Sequence, residues 1–360
     1  MEDGVDWIMV LRLAEHHGML PVLYQSLREL TANVPPGIVD DLRKSYEHNA
    51  RRNLKFTAEL FRILDSLEAH GIISIPQKGP VLAESIYGDL ALRSFSDLDI
   101  LVSPSDVLRV RTVVQELGYA PTLSLSSLEE RAYLATGYEY SFDGPAGRNL
   151  LELQWNIVPR FYAVDFDCGE LLERAVSANV SGRTVRALCP EDLLLSLCVH
   201  AAKHAWIRLC WLRDIAGVLQ SQVADWSTIE RQAAELGIKR MLEVSLVLAH
   251  RLLGADVPDS MREKSQDGVV ERLCNEVTQR LVAGEEFNPE SLAYFWLMLR
   301  LRENVRDKLR FAYRLTFTPS LGEWRLVRLP ESLFFLYRIV RVARLLARVF
   351  RPSRARHETA

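Results

Sequence analysis

Apolar residues recur at three- and four-residue intervals through residues 5–30 (VDWIMVLRLAEHHGMLPVLYQSLREL) and again from Ile38 to His70. That is the spacing of helices that bury one face. The stretch NVPPG at 33–37 breaks the two, and Gly71 supplies a stop after His70. The period then changes. Ile72 to Ile75 reads as a short strand ending in PQKGP, and a helix is expected from Val81 to Tyr87. Ser94 to Val102 (SFSDLDILV) alternates and then turns fully apolar, as a central strand does. SPSD at 103–106 offers a loop and a helix N-cap for VLRVRTVVQELG. Glu139–Phe142 and Asn149–Asn156 read as two strands of a hairpin, joined by the turn residues DGPAGR. A helix near Gly169–Ala175 and a smaller hairpin around Ser181 and Gly182 follow. CPED at 189–192 opens a helix expected to run through Leu219, with Pro near its first turn and acids at its positive end. Most of the remainder keeps helical spacing.

These elements predict an α+β fold: a small mixed β-sheet core, a helical N-terminal segment and a mostly helical C-terminal half. The expected divisions are a helical segment over 1–70, the α/β core over 71–190, a helical domain over 191–330, and a basic amphipathic helix and tail over 331–360. Composition agrees with a globular chain: 360 residues, 48% apolar and 25% charged. It excludes a disordered, collagen-like or disulfide-stapled protein. The net charge of −3 hides a split. Residues 300–356 carry 15 Lys and Arg against 4 Asp and Glu, a balance of +11, and the rest of the chain carries −14. The five cysteines (Cys168, Cys189, Cys198, Cys210 and Cys274) form no C-x-x-C pair. Reduced, buried thiols of a cytoplasmic protein are the expectation. The first residues are acidic where a secretory leader is basic, so none is expected. No uncharged apolar run reaches the roughly 18 residues of a membrane-spanning helix.

The chemistry concentrates on Asp97 and Asp99. Side chains alternate along a strand, so both project from one face, with Cα atoms about 6.5 Å apart. Two ionised carboxylates that close repel unless a cation lies between them, and oxygen-only ligands suit Mg²⁺. On the later strand Leu150, Glu152 and Gln154 share a face, and Glu152 stands alone in the apolar run NLLELQW. Beside the Asp pair it completes a three-carboxylate site for one or two metal ions. A plainer alternative has the two aspartates capping a strand edge or pairing with arginines such as Arg93. Lys78 and Gly79 follow the first strand and open a helix. Glycine lets the backbone approach a phosphate, the helix N-terminus offers free N–H groups, and Pro80 fits the first turn. A simple turn with a solvated lysine is the alternative. Arg93 is placed to reach phosphates or the aspartates.

The stretch KGPVLAESIYGDLALRSFSDLDILV resembles the nucleotidyltransferase motif of the DNA polymerase beta-like superfamily. More narrowly, it is similar to a bacterial nucleotidyltransferase group with a Lys-Gly turn, Tyr-Gly, Arg and then D-[LIV]-D. LELQW at 151–155, LCVHAAKH at 197–204, WLRDI at 211–215, and Thr318-Pro through Glu323-Trp, Leu329-Pro and Tyr337 extend the resemblance along nearly the whole chain. The resemblance implies transfer of an NMP from an NTP to a hydroxyl or similar acceptor on a small molecule or peptide, natural-product biosynthesis included. It implies Mg²⁺, or Mn²⁺ in its place, held by Asp97, Asp99 and Glu152 as the catalytic residues. Lys78, Gly79, Arg93, Ser96, Lys203 and His204 are the implied nucleotide-binding set. One departure stands out: Gln154 occupies a position where the group commonly has His, and Gln cannot act as a proton carrier. A non-catalytic nucleotide- or partner-binding member is therefore the alternative.

His200, Lys203, His204, Trp211 and Asp214 fall on one helical stripe. It reads either as a polar seam packed on the core or as a wall of the nucleotide cleft, with Asp214 paired to Arg or Lys. Zinc is disfavoured, because no Glu follows His200 as H-E-x-x-H requires. Arg338, Arg341, Arg344, Arg348 and Arg351 line one face of the last helix. Three readings stay open for it: docking on the acidic body by its apolar face, adsorption on the anionic inner face of a membrane, or an acidic partner. Sparse aromatics and the lack of an RNA-binding motif disfavour nucleic acid.

Overall fold

The computed structural model describes residues 5–29, 34–144, 150–221, 225–264, 267–284 and 291–349. Three helices come first: α1 (Trp7–His16), α2 (Leu20–Leu27) and α3 (Pro36–Ala69). Thus the expected 5–30 helix is two, parted near Gly18, whose φ of +69° is left-handed. α3 starts with Pro36 at its first position and stops at His70. Leu42, Leu60, Ile63 and Leu67 on its inner stripe are at most 1% exposed. Each such side chain contributes about 1.5–3 kcal/mol by leaving water. The same face carries two buried amides with a positional role. Asn49 Nδ2 donates to the Ala91 carbonyl at 2.7 Å, and Asn53 Nδ2 to the Arg93 carbonyl at 2.7 Å. They fix the approach to the central strand.

The core runs β1 (Ser74–Pro76), α4 (Gly79–Tyr87), β2 (Asp97–Val102), α5 (Val107–Glu116), β3 (Ala120–Pro121), α6 (Ser127–Leu134), β4 (Glu139–Asp143), β5 (Leu150–Gln154), α7 (Cys168–Glu173), β6 (Val176–Val180) and β7 (Arg183–Ala187). The main sheet has the order β1-β2-β5-β4-β3, and β6 and β7 form a separate hairpin. β2 pairs antiparallel with β1 and parallel with β5, and β5 pairs antiparallel with β4. The expected hairpin is present, but its predicted linker lies outside the described residues from position 145 onward. The strand expected from Ser94 begins only at Asp97, and Leu90–Leu92 before it forms a 3₁₀ turn capped by Asp89.

Alternation along these strands divides the sheet chemically. Leu98, Ile100, Val102, Leu151, Leu153, Tyr140 and Phe142 pack with α3 and α5 in one hydrophobic cluster. The opposite face carries Asp97, Asp99, Glu152, Gln154 and Glu139 at one end. Its apolar end, with Ile75 and Leu101, joins the larger cluster of the helical half.

That half comprises α8 (Pro190–Lys203), α9 (Leu209–Ser221), α10 (Trp226–Glu235), α11 (Lys239–Leu253), α12 (Asp259–Lys264), α13 (Gly268–Ala283), α14 (Leu292–Arg300), α15 (Val305–Phe317), α16 (Leu321–Leu326) and α17 (Tyr337–Val349). The single helix expected from residue 190 to 219 is two. Ala205 and Trp206 take left-handed φ values of +51° and +52°. Trp206 is fully buried there, and its indole N–H donates to Ser245 Oγ at 2.9 Å. Tertiary burial of one large side chain overrides the helical pattern. No described helix is long and apolar enough to cross a membrane.

The last helix docks, but not by its apolar face. Arg341 is 5% exposed and donates to the Leu315 carbonyl and Ser320 Oγ, with Glu323 at 3.4 Å. Arg344 pairs with the same Glu323 at 2.7 Å. Glu323 is fully buried and also closes a capping box with Ser320. A buried carboxylate requires cations, so Arg341 and Arg344 turn inward, while Arg338 is exposed and Ile339 and Leu346 stay 61% and 54% exposed. The side chains of Arg348 and Arg351 lie outside the described residues.

Candidate active site

Strand register builds the site. Asp99 lies opposite Glu152, and Glu139 opposite Gln154, with all four side chains on one face. Asp97 sits two residues before Asp99 on that face. Burial raises the Asp97 carboxyl above its usual range, and the neighbouring Asp99 adds to it. Glu152 is pushed up to about 9 by burial, then by Glu139 and Asp99. Glu139 is raised by burial too, against the lowering effects of Tyr138 and Lys203. Burial is the largest cause for all three acids, and neighbouring carboxylates add to it.

The opposing wall is cationic. Lys78 Nζ lies 3.6 Å from Asp99 Oδ2 and 3.2 Å from His200 Nδ1. Gly79 opens α4 at φ +48°, a value that favours glycine, and Pro80 follows. Lys203 Nζ approaches the Tyr138 hydroxyl at 3.4 Å and stands over its ring. Burial lowers the Lys203 ammonium pKa. Burial likewise holds His200 well below 6.5 and His204 at about 3, so both imidazoles are neutral near pH 7. The His200, His204 and Trp211 rings pack with centroids 4.8–5.5 Å apart, although α8 ends between them.

The sequence-predicted residues divide into those the fold gathers and those it does not. Asp97, Asp99, Glu152, Lys78, Gly79 and Lys203 converge, with His204 at the end of α8. Ser96 is exposed, one residue before β2. Arg93 gives its hydrogen bonds to Asp214, while its charge still favours the ionised form of Asp97. Its guanidinium makes a two-pronged pair with Asp214 (Nε to Oδ1 3.0 Å, Nη2 to Oδ2 2.9 Å), and Tyr87 donates to the same Asp214 at 2.8 Å. Burial works against the charged guanidinium, but Asp214 more than offsets this and raises its pKa. Arg93 therefore ties the segment before β2 to α9.

Two features escaped the reading of the sequence. Glu139 is the fourth carboxylate. Its signal was present, since Tyr140 and Phe142 point to the core and alternation sends Glu139 the other way. The second is an amide chain. Gln77 Nε2 donates to Gln154 Oε1 at 2.9 Å, and Gln154 Nε2 donates to Asp99 Oδ1 at 2.8 Å and Glu152 Oε2 at 3.1 Å. Nothing in the local sequence links residues 77 apart.

Among the described residues no three His, Cys, Asp or Glu side chains stand ready to hold a metal ion. The donor chemistry nonetheless suits a hard cation: carboxylate oxygens only, from Asp97, Asp99 and Glu152 gathered on one sheet face.

The model of a family described as uncharacterised nucleotidyltransferase matches residues 3–254, more than two-thirds of the chain. No curated protein matches it. The crystal structure of ANT(2")-Ia in complex with adenylyl-2"-tobramycin is similar at 14% identity, covering 51% of this chain and 97% of that one, with a TM-score of 0.38. A nucleotidyltransferase-like protein from Paracoccidioides brasiliensis is similar at 13% identity, covering 58% and 88%, with a TM-score of 0.33. Similarity that distant carries no argument about substrate or site. The family match over most of the length decides the matter: this chain belongs to the family of uncharacterised nucleotidyltransferases.

Proposed function

We propose that the protein moves an NMP from an NTP to a hydroxyl acceptor on a small molecule or peptide, with Mg²⁺ or Mn²⁺ held by Asp97, Asp99 and Glu152. The observation that carries the reading is the crowding of those three carboxylates on one sheet face, opposite Lys78 at the start of α4. A bound divalent ion there would neutralise triphosphate charge and acidify the acceptor hydroxyl.

The chain's own residues do the rest. The Gly79 N–H at the start of α4 receives a phosphate oxygen, since Pro80 has no N–H and those of Val81 and Leu82 donate to the Lys78 carbonyl. Lys78 and Lys203 offset the charge that grows on the departing pyrophosphate. The acceptor oxygen bonds to the α-phosphorus as the bond to the β-phosphate bridging oxygen breaks. The acceptor's proton passes to a carboxylate, for which Glu152 is the candidate. His204 and Trp211 wall the cleft where a base or acceptor ring can pack.

Turnover of α-labelled NTP with Mg²⁺ across a panel of acceptors tests this. Label transferred by the wild type and lost in Asp97→Asn/Asp99→Asn supports it. Nucleotide binding with no transfer to any acceptor supports the non-catalytic alternative. The reading places the protein in the cytoplasm. Its C-terminal segment would meet an anionic membrane surface through exposed Phe335 and Ile339 beside exposed Arg338. Co-sedimentation with anionic but not neutral vesicles checks that contact.

A further inference from the structure

Gln154 cannot carry a proton, yet it is 5% exposed in the middle of the carboxylate face. A carboxamide has a donor end and an acceptor end, and only the donor end suits two carboxylates. The acceptor end meets Gln77, also 5% exposed, on the loop between β1 and α4. Gln77 Nε2 donates to Gln154 Oε1, which leaves both Gln154 N–H bonds for Asp99 and Glu152. Gln77 is itself anchored, because its backbone N–H donates to the Asp99 carbonyl at 3.0 Å. A neutral imidazole at 154 would offer one N–H; the carboxamide offers one to each carboxylate.

We propose that Gln77 and Gln154 form a positioning relay: Gln77 sets the polarity of the Gln154 amide, and Gln154 aims one oxygen each of Asp99 and Glu152, leaving their other oxygens for a divalent cation. Neither glutamine touches substrate. The relay holds two like charges side by side without adding a positive charge that would compete with the ion. Partners of metal ligands that orient them typically change affinity by about 10–100-fold when removed.

This inference rests on the proposed function, so its test has one arm that needs a metal and one that does not. Mn²⁺ titration by electron paramagnetic resonance is run on wild type, Gln77→Leu, Gln154→Leu and the double variant. Gln154→Leu is expected to weaken Mn²⁺ about 10–100-fold. Gln77→Leu, remote from the ion, weakens it several-fold, and the double variant binds like Gln154→Leu alone, since Gln77 acts only through Gln154. Additive losses, or Mn²⁺ affinity unchanged in Gln77→Leu, overturn the relay. The second arm follows the Gln154 side-chain amide by ¹⁵N NMR without metal. Its protons lie downfield in the wild type, as donors to carboxylates do, and move upfield in Gln77→Leu. An unmoved resonance overturns the relay. A wild type that binds no Mn²⁺ fails the proposed function and leaves the relay to be decided by this arm.

Discussion

The crowded carboxylates make a prediction about stability that needs no substrate. Without a cation, the folded protein holds Glu152 with a pKa near 9, against an ordinary value of 4.5. The folded state then binds this proton more tightly than the unfolded chain does. Stability is therefore greatest where both states are protonated, below pH 4.5, and falls as pH rises toward 9. One fully linked proton is worth 1.36 kcal/mol per pH unit, or about 4 kcal/mol between pH 5 and 8. Turning of Lys78 and entry of water relieve part of this, so about 2 kcal/mol is expected. Glu152→Gln, which fixes the neutral form, removes this residue's share of the slope, while the raised Asp97 and Glu139 keep theirs. It is expected to match the wild type at pH 5 and exceed it by about 2 kcal/mol at pH 8, read as the urea midpoint in EDTA. Adding Mg²⁺ at pH 8 raises the wild type and leaves Glu152→Gln nearly unmoved. The same slope in variant and wild type would refute the reasoning.

Three further outcomes follow from buried pairs and backbone. Asp214→Ala strands the Arg93 guanidinium and the Tyr87 hydroxyl, and costs about 3–5 kcal/mol in urea unfolding, little altered by salt. Glu323→Ala, which removes the buried carboxylate that Arg341 and Arg344 share, costs a similar amount, whereas exposed Arg338→Ala stays within about 0.5 kcal/mol. Gly79→Ala costs about 1–2 kcal/mol through its left-handed φ, since its Cβ would meet the Asp97 carbonyl only at an ordinary 3.8 Å.

The face that matters was legible because strands alternate. Asp97, Asp99 and Glu152 announce a shared side by position alone, and the register needed only the hairpin and a parallel neighbour. Asp214 was also readable as the partner of a cation. The pairing of Arg93 with Asp214 could not be read, because proximity in sequence to Asp97 says nothing about a helix 121 residues later. The break between α8 and α9 was invisible, because Ala205 and Trp206 carry no turn signal and their left-handed backbone follows from burying one indole. On the last helix, the period gave the arginine stripe correctly but not its direction. Direction came from Glu323, a buried acid in a short capping box far from that stripe in sequence. Gln77 stayed silent because its contact with Gln154 exists only once the loop after β1 reaches β5.

The most direct test of the account is the Mn²⁺ stoichiometry of the protein with a bound NTP, wild type against Asp97→Asn/Asp99→Asn, read by electron paramagnetic resonance. The account predicts Mn²⁺ held by the wild type and lost in the double variant while its thermal midpoint is kept or raised. Equal Mn²⁺ binding by both proteins would contradict it.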